Sequence, residues 1–226
     1  MIRLHIIVEG QTEEAFVKRV LRDYLGMFNI VTDVRCVETS RSSGRIYRGG
    51  VIDYGRVRRD IMRWMREDRN RDACFTTMFD LFRLPEDFPR FAEAMKYKSP
   101  YERVSEIERA FRENIGDYRF IPYIQLHEFE ALILSDPSKF ETEFVDRDKA
   151  VRNLVKMCSE FASPELIDDG PDTAPSKRII KELPEYKGRK PSAGPRIARE
   201  IGIEALWKKC PHFREWLHKL EALANG

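Results

Sequence analysis

Apolar residues follow two different spacings in the first part of this chain. A short, nearly continuous apolar run over residues 4–8 is typical of a buried β-strand, and further strands are predicted over residues 30–37, 73–79 and 119–126. Between these strands, apolar residues recur at helical spacing over residues 54–68 and 101–114. Strands that alternate with helices predict an α/β fold, in which a mostly parallel sheet is flanked by helices.

The first predicted strand ends in an acidic residue. Gly10 permits a tight turn, Thr12 is a good N-cap, and Glu13 and Glu14 fall in the first turn of the next helix, where the positive end of the helix favours carboxylates. These two acids therefore have a local explanation, whereas Glu9 at the tip of the strand has none. Ligands of open α/β sheets gather at the carboxyl ends of the strands, so Glu9 is a candidate site residue.

The pattern becomes helical from about residue 146. Candidate helices span residues 146–161, 176–183, 195–201 and 213–223. They are separated by the Gly- and Pro-rich joints DDGPDTAP and YKGRKPSAGP. We expect an α/β domain over residues 1–140 and a helical C-terminal region over residues 141–226, either docked on the sheet or forming a small second domain.

Composition excludes several classes of protein. No apolar run reaches membrane-spanning length, and the N-terminus lacks the basic segment and apolar core of a signal peptide. The four cysteines form no CxxC pair, so neither a zinc knuckle nor a disulfide framework is indicated. No phosphate-binding GxxxxGK[ST] or GxGxxG motif is present. The sequence therefore predicts a cytoplasmic protein with no membrane association, and leaves its oligomeric state open.

Positive charge is concentrated in two stretches, although the net charge is only +2. Residues 41–71 hold ten arginines against four acids, and residues 40–50 are expected to form a flexible basic loop. Candidate contacts to a nucleic-acid backbone are Arg45, Arg48, Arg56, Arg59 and Arg63, with a second cluster of Lys177, Arg178, Lys187, Arg189 and Lys190. The alternative for each of these residues is a solvated helix face.

Acidic residues follow three of the predicted strands. They are Glu9, Asp80 and the pair Glu128 and Glu130. Carboxylates that meet at one sheet edge repel and raise one another's pKa unless a cation intervenes. Carboxylate oxygens are the ligands that Mg²⁺ and Mn²⁺ prefer, so these residues are candidate metal ligands. The alternative is that each acid caps its own strand end in water.

Several segments resemble a known family. IIVEGQTEEAF resembles the first motif of the Toprim domain, the catalytic fold of topoisomerases, primases and the overcoming-lysogenization-defect nucleases, in which a strand delivers a glutamate before a helix begins. TTMFDLFRLPEDFP and PYIQLHEFEALILSD are similar to a Toprim-like group of prokaryotic proteins labelled as a domain of unknown function. The tail segments APSKRI, YKGRK and CPHFREWLHKLEAL are similar too, so the resemblance covers nearly the whole chain.

The resemblance implies roles for individual residues. Glu9 matches the family's general acid/base or metal-ligand glutamate, and Asp80 matches the first aspartate of an Asp-x-Asp motif. Phe82 stands where the second aspartate is expected, which puts a standard two-metal site in doubt. Glu128 or Glu130 can supply the missing ligand. Because residues two apart in a helix lie on different faces, we expect only one of them to face the site and favour Glu128.

These expectations combine into a nuclease hypothesis. A Mg²⁺- or Mn²⁺-dependent phosphodiesterase acting on nucleic acid is implied, with Glu9 and Asp80 as catalytic residues. His127 either hydrogen-bonds a phosphate or a metal-bound water, or is a structural donor. Similar families are encoded beside anti-phage systems, which implies by analogy a defence role and a protein partner. The alternatives are a non-catalytic module that binds nucleic acid or a protein partner, and a small-molecule phosphotransfer enzyme.

Overall fold

A computed structural model describes residues 1–42, 45–48, 53–167, 170 and 172–225, with the backbone alone described over residues 38–42 and 45–48. Its strands are β1 (Ile2–Val8), β2 (Ile30–Cys36), β3 (Glu38–Ser42), β4 (Arg45–Arg48), β5 (Ala73–Asp80), β6 (Phe120–Ile121) and β7 (Ile124–Gln125). The main sheet has the order β2-β1-β5-β6, β7 also pairs with β5, and every pairing in it is parallel. The predicted α/β fold with a mostly parallel sheet is confirmed.

Helices account for most of the remaining described residues. They are α1 (Gln11–Phe16), α2 (Arg22–Gly26), α3 (Tyr54–Glu67), α4 (Phe91–Ala94), α5 (Pro100–Ile115), α6 (Glu130–Ile133), α7 (Asp148–Cys158), α8 (Pro175–Glu182), α9 (Tyr186–Ile201), α10 (Ile203–Lys209) and α11 (Pro211–Glu221). A π-helical segment, Val17–Leu21, joins α1 to α2. Short 3₁₀ turns span Leu81–Arg83, Pro137–Thr142, Pro164–Leu166 and Ala222–Asn225.

The sheet separates two apolar cores. On β1, Ile6 belongs to the core shared with α1 and the C-terminal helices, whereas the next residue, Ile7, belongs to the core shared with α3 and α5. The indole N–H of Trp216 on α11 donates to Thr76 Oγ1 on β5 at 2.9 Å. The helices beyond residue 140 are thus docked on one face of the sheet and share its core.

Register brings the carboxyl ends of the central strands to one level. Val8 on β1 lies opposite both Cys36 on β2 and Met78 on β5. The residue that follows Val8 therefore emerges beside the last residues of β5. This edge of the sheet is where the predicted acidic residues lie.

The fourth predicted strand is interrupted. Residues 119–126 form β6 and β7, and the two residues between them do not pair as a strand because Pro122 has no N–H to donate. Thr77 Oγ1 bridges the gap, since it accepts from Tyr123 N and donates to Tyr123 O, each at 3.0 Å. The strand keeps its direction across the interruption, because both halves run parallel to β5.

The basic stretch is not a loop where the structure describes it. The strands β3 and β4 pair antiparallel, with Arg41 opposite Ile46 and Ser42 opposite Arg45. The flexible-loop prediction is wrong over residues 40–42 and 45–48. The Gly and Ser content of this stretch favours a loop, but the strand preference of Ile46 and Tyr47 is stronger.

The joint predicted around residues 186–195 is also wrong. Helix α9 runs through Gly188, Pro191, Gly194 and Pro195, and α10 follows where no helix was predicted. Each proline removes one backbone donor, which is why the sequence predicts a break. Packing of the buried face of α9 against α1 offsets that loss.

We expect Gly194→Ala to destabilise the protein by about 1–3 kcal/mol, the usual cost of overpacking a core. An added Cβ would lie 3.0 Å from Phe129 Cε1 and 3.1 Å from the Tyr186 hydroxyl, and both rings are fully buried. Urea unfolding measures the effect. Gly188→Ala on the same helix is the matched control, because nothing lies within 4 Å of its added Cβ. The control should be neutral or stabilise by up to about 1 kcal/mol; equal losses in both variants would contradict the packing argument.

Candidate active site

Glu9 and Asp80 meet at the carboxyl ends of β1 and β5. The Glu9 N–H donates to Met78 O, which continues the β-ladder by one residue past β1. The Asp80 N–H donates to Glu9 Oε2 at 3.2 Å. Glu9 is only 8% exposed, so its carboxyl group lies inside the protein beside β5 and not in bulk water.

Glu13 joins the same site from α1. The N-cap of α1 is Gly10, whose N–H donates to Glu13 Oε2 at 2.9 Å. The prediction that Thr12 is the N-cap is wrong, because the extended backbone of Gly10 starts the helix two residues earlier. Glu13 is 6% exposed, so the local explanation given for it from sequence is incomplete.

Glu128 and Glu130 enter the site from the segment after β7. His127 has φ 62°, a left-handed conformation that turns the chain sharply between β7 and α6. The carbonyl of His127 accepts from Phe82 N at 2.9 Å, which ties this turn to the one after β5. Both glutamates are buried.

Protein donors engage both of these glutamates. Glu128 accepts from Ser176 N at 2.9 Å and from Ser176 Oγ at 3.1 Å, both at the start of α8. Glu130 Oε1 accepts from the Tyr186 hydroxyl at 3.2 Å and lies 3.1 Å from Lys190 Nζ, both on α9. The C-terminal helices therefore hold these carboxylates in place.

Burial and mutual repulsion raise the pKa values of the acids. Burial, together with the charges of Glu9 and Glu130, raises the pKa of Glu13 to about 8. Burial also raises the pKa of Asp80 well above its usual value, and the charges of the four glutamates add to it. The site therefore favours bound protons or a cation over free carboxylates.

Opposing groups moderate the shift at Glu9 and Glu130. Burial raises the pKa of Glu9, whereas the Asp80 N–H and the Arg83 guanidinium lower it. Burial raises the pKa of Glu130, and Lys190 lowers it. The charges of both Glu128 and Glu130 raise the pKa of Glu9. Glu128 precedes the first residue of α6, so the spacing of residues within a helix does not separate the two side chains.

Asp80 retains an oxygen atom with binding capacity. Its Oδ1 atom is buried, and no described residue donates a hydrogen bond to it. Hard carboxylate oxygens are suitable donors for Mg²⁺ or Mn²⁺. Within the described part of the chain, however, no three His, Cys, Asp or Glu side chains are arranged to hold a metal ion. The donor chemistry fits a divalent cation, and a bound ion would need these side chains to draw closer together.

The chain matches a known family over nearly the whole of this fold. A family described as a domain of unknown function, DUF4276, matches residues 8–221, from the end of β1 to the end of α11. The chain belongs to the DUF4276 family. Neither a curated protein nor a solved structure gives a match.

Some of the basic residues predicted to contact nucleic acid in this DUF4276 protein are engaged by acids. Arg56 Nε lies 3.0 Å from Asp53 Oδ2. Arg63 lies 3.4 Å from Asp60 Oδ1. Arg59 is exposed on the same helix, α3. The side chains of Arg45 and Arg48 lie outside the described residues.

The second basic cluster of the DUF4276 chain divides in the same way. Lys177 and Lys187 are exposed. Arg178 donates to Thr173 O at 2.7 Å and lies over the Phe161 ring. Arg189 binds Glu143, and Lys190 binds Glu130 in the acidic site. Only part of this cluster is available to a partner.

Sequence reasoning missed four members of the site in this DUF4276 protein. They are Glu13, Ser176, Tyr186 and Arg83. Glu13 carries a usable signal, because an acid three residues after a glycine can bind that glycine's N–H and turn inward. Ser176 carries no such signal, since its role depends on how α8 docks.

No described helix is long and apolar enough to cross a membrane.

Proposed function

We propose that this DUF4276 protein is a metal-dependent phosphodiesterase that acts on nucleic acid. One observation carries the proposal: five acidic side chains from the end of β1, α1, β5 and the β7–α6 segment share one buried edge of a parallel sheet, and each of the four glutamates raises the pKa of at least one other acid among them. Burying so many acids without a cation is unfavourable at neutral pH. A structural role alone does not require this arrangement.

Glu9 and Asp80 are the residues proposed to hold the ion. Both come from the central strands, and Asp80 Oδ1 has no described donor. A bound Mg²⁺ or Mn²⁺ supplies Lewis acidity at a phosphate oxygen and lowers the pKa of a coordinated water. Ser176 and Lys190 orient Glu128 and Glu130, and Glu13 is placed to donate a proton at neutral pH, because burial raises its pKa to about 8.

By analogy with Toprim proteins, we also propose that the protein is cytoplasmic and acts in phage defence together with a protein partner from such a system. Four free cysteines are consistent with a reducing compartment.

The direct test is cleavage by the purified protein. Supercoiled plasmid and end-labelled RNA are incubated with Mn²⁺ or Mg²⁺, and parallel reactions contain EDTA. We expect cleavage of at least one substrate with metal and none with EDTA. Metal-independent cleavage would contradict the proposal, as would cleavage that survives in Asp80→Asn.

A non-catalytic nucleic-acid-binding module is the second candidate. The observation that favours it is the absence, among the described side chains, of a ready-formed group of three metal ligands. Phe82 at the place of a second aspartate favours it too. In this case the acids stay protonated, and neither metal nor EDTA alters the melting temperature.

We expect charge removal on α3 to weaken nucleic-acid binding. The ion pairs of Arg56 and Arg63 are about 40% exposed, so they are weak and can be exchanged for phosphates. Replacing Arg56, Arg59 and Arg63 by glutamine should lower the slope of log affinity against log salt by roughly one unit for each phosphate that the variant no longer binds.

Fluorescence anisotropy at several salt concentrations measures this slope. The matched control replaces three arginines on another helix, Arg103, Arg109 and Arg112 of α5. Unchanged binding in the α3 variant would move the binding surface elsewhere, with Lys177 and Lys187 as the next candidates.

A further inference from the structure

Phe82 is a half-buried aromatic side chain that belongs to neither of the two described apolar cores. Its ring is half-buried at the edge of the acidic site. Among the described residues, it belongs to neither apolar core, and it is not one of the partly buried apolar side chains that pack against them. No described aromatic ring is paired with it, although most other phenylalanines of the chain have such a partner. An apolar ring held in this way has surface available for a ligand.

The turn that carries Phe82 is fixed. Leu81 and Leu84 are buried in the core shared with α3 and α5 and anchor the 3₁₀ turn at both ends. Residues of a 3₁₀ helix are spaced three per turn, so Phe82 and Arg83 lie on the sides away from Leu81. The Phe82 N–H donates to His127 O at 2.9 Å, which ties the turn to the segment that carries Glu128. The ring is therefore presented on a rigid support.

Arg83 places a positive charge beside this ring. Its side chain is exposed, and no described carboxylate forms an ion pair with it. Its charge nevertheless reaches the acidic site, where it acts on Glu9. An arginine in this position is available to a phosphate that approaches Glu9 and Asp80.

We propose that Phe82 and Arg83 form a binding site for an unpaired nucleobase and its adjacent phosphate, so that the substrate is single-stranded nucleic acid. The inference rests on the proposed function for the position of the scissile phosphate. Every nucleobase has a face that stacks on an aromatic ring, and a neighbouring cation binds the backbone. In a duplex, both faces of each internal base are covered by its neighbours, so Phe82 has nothing to stack on without unpairing.

Tryptophan fluorescence tests the stacking directly. In Phe82→Trp, the new indole should be quenched by oligo(dT) or oligo(rU) and not by a fully paired blunt DNA duplex of equal length, all in EDTA so that nothing is cleaved. The wild type corrects for Trp64, Trp207 and Trp216. Tyr97→Trp is the matched control, because Tyr97 is an exposed aromatic residue on the segment between α4 and α5. Equal quenching in both variants, or quenching by the duplex alone, overturns the inference.

Affinity tests the same contacts without a probe. Phe82→Ala should weaken binding of a single-stranded oligonucleotide by about tenfold, and Phe82→Leu should do the same because it keeps apolar bulk and loses the π-face. Arg83→Gln should weaken binding and lower the salt slope by about 0.7, the value for one contact to a single strand. Arg199→Gln on α9, another exposed arginine, is the control and should not differ from the wild type. Melting temperatures identify any variant that fails to fold.

The outcomes separate this inference from the proposed function. Cleavage with metal together with unchanged binding in Phe82→Ala and Phe82→Leu overturns the inference and leaves the nuclease proposal intact. Quenching and weakened binding without any cleavage support the base-stacking site and overturn the nuclease proposal. Comparison of oligo(dT) with oligo(rU) distinguishes DNA from RNA as the ligand, and binding to neither overturns the inference.

Discussion

Glu9→Gln is expected to be more stable than the wild type in metal-free solution and less stable than the wild type when Mn²⁺ is present. In EDTA at pH 8, the variant should be more stable than the wild type, because it removes one of five acidic groups that repel one another. With Mn²⁺ the order should invert, because a ligand stabilises only the state that binds it and the variant binds the ion less tightly. Glutamine keeps an oxygen that accepts from Asp80 N, so the turn itself is preserved.

Activity should fall more steeply than stability in the same variant. Loss of a residue that merely supports a metal ligand costs about 10- to 100-fold, so loss of a ligand should lower the cleavage rate by at least about 100-fold. Nucleic-acid binding in EDTA should survive, since the basic residues on α3 are untouched.

The matched control is Glu14→Gln on the same helix turn as Glu13. Glu14 forms an i,i+4 ion pair with Lys18, 2.7 Å apart, and is 24% exposed, with the Cys36 thiol donating to its other oxygen at 3.6 Å. Its loss should alter stability by less than about 1 kcal/mol with or without metal. If Mn²⁺ does not change the melting temperature of the wild type, and Glu9→Gln is indistinguishable from the wild type, the non-catalytic module is left as the function.

The strands were predictable because the residues that they bury are apolar and close together in the sequence. Residues 4–8, 30–37 and 73–79 are apolar runs that correspond to β1, β2 and β5. The course of α9 was not predictable in this way. Its glycines and prolines favour a joint locally, and contact with α1 overrides that preference, which no local pattern reports.

The candidate site was predictable where a strand ends and unpredictable where a helix docks. Glu9 and Asp80 follow apolar runs and lie on adjacent strands, so parallel pairing alone brings them together. Ser176 and Lys190 come from α8 and α9, 48 and 60 residues further along the chain than the glutamates they bind. The sequence explains Glu13 by one local role, in the first turn of α1, whereas its burial depends on what packs above that turn.

Glu13 gives a large expected dependence of stability on pH. Its pKa is about 8 in the folded protein against 4.5 for an unperturbed glutamate, so between these values the folded state binds more protons than the unfolded state. Stability from this group is therefore fully present below pH 4.5 and is lost as the pH rises towards 8. One proton contributes a slope of at most about 1.4 kcal/mol per pH unit. Glu9, Asp80 and Glu130 also have raised pKa values and add to the slope, so the free energy of unfolding should fall by at least about 2–4 kcal/mol between pH 5 and pH 8 in EDTA.

Glu13→Gln should reduce this slope and leave the fold intact, because the amide oxygen still accepts from Gly10 N. Urea unfolding at pH 5, 6, 7 and 8 in EDTA should show the variant and the wild type equal at pH 5 and the variant more stable at pH 8. Glu14→Gln should follow the wild type throughout. Parallel curves for Glu13→Gln and the wild type would mean that the proton resides elsewhere in the cluster. Mn²⁺ at pH 8 should restore the wild type, because a cation relieves the same repulsion that the proton relieves at pH 5.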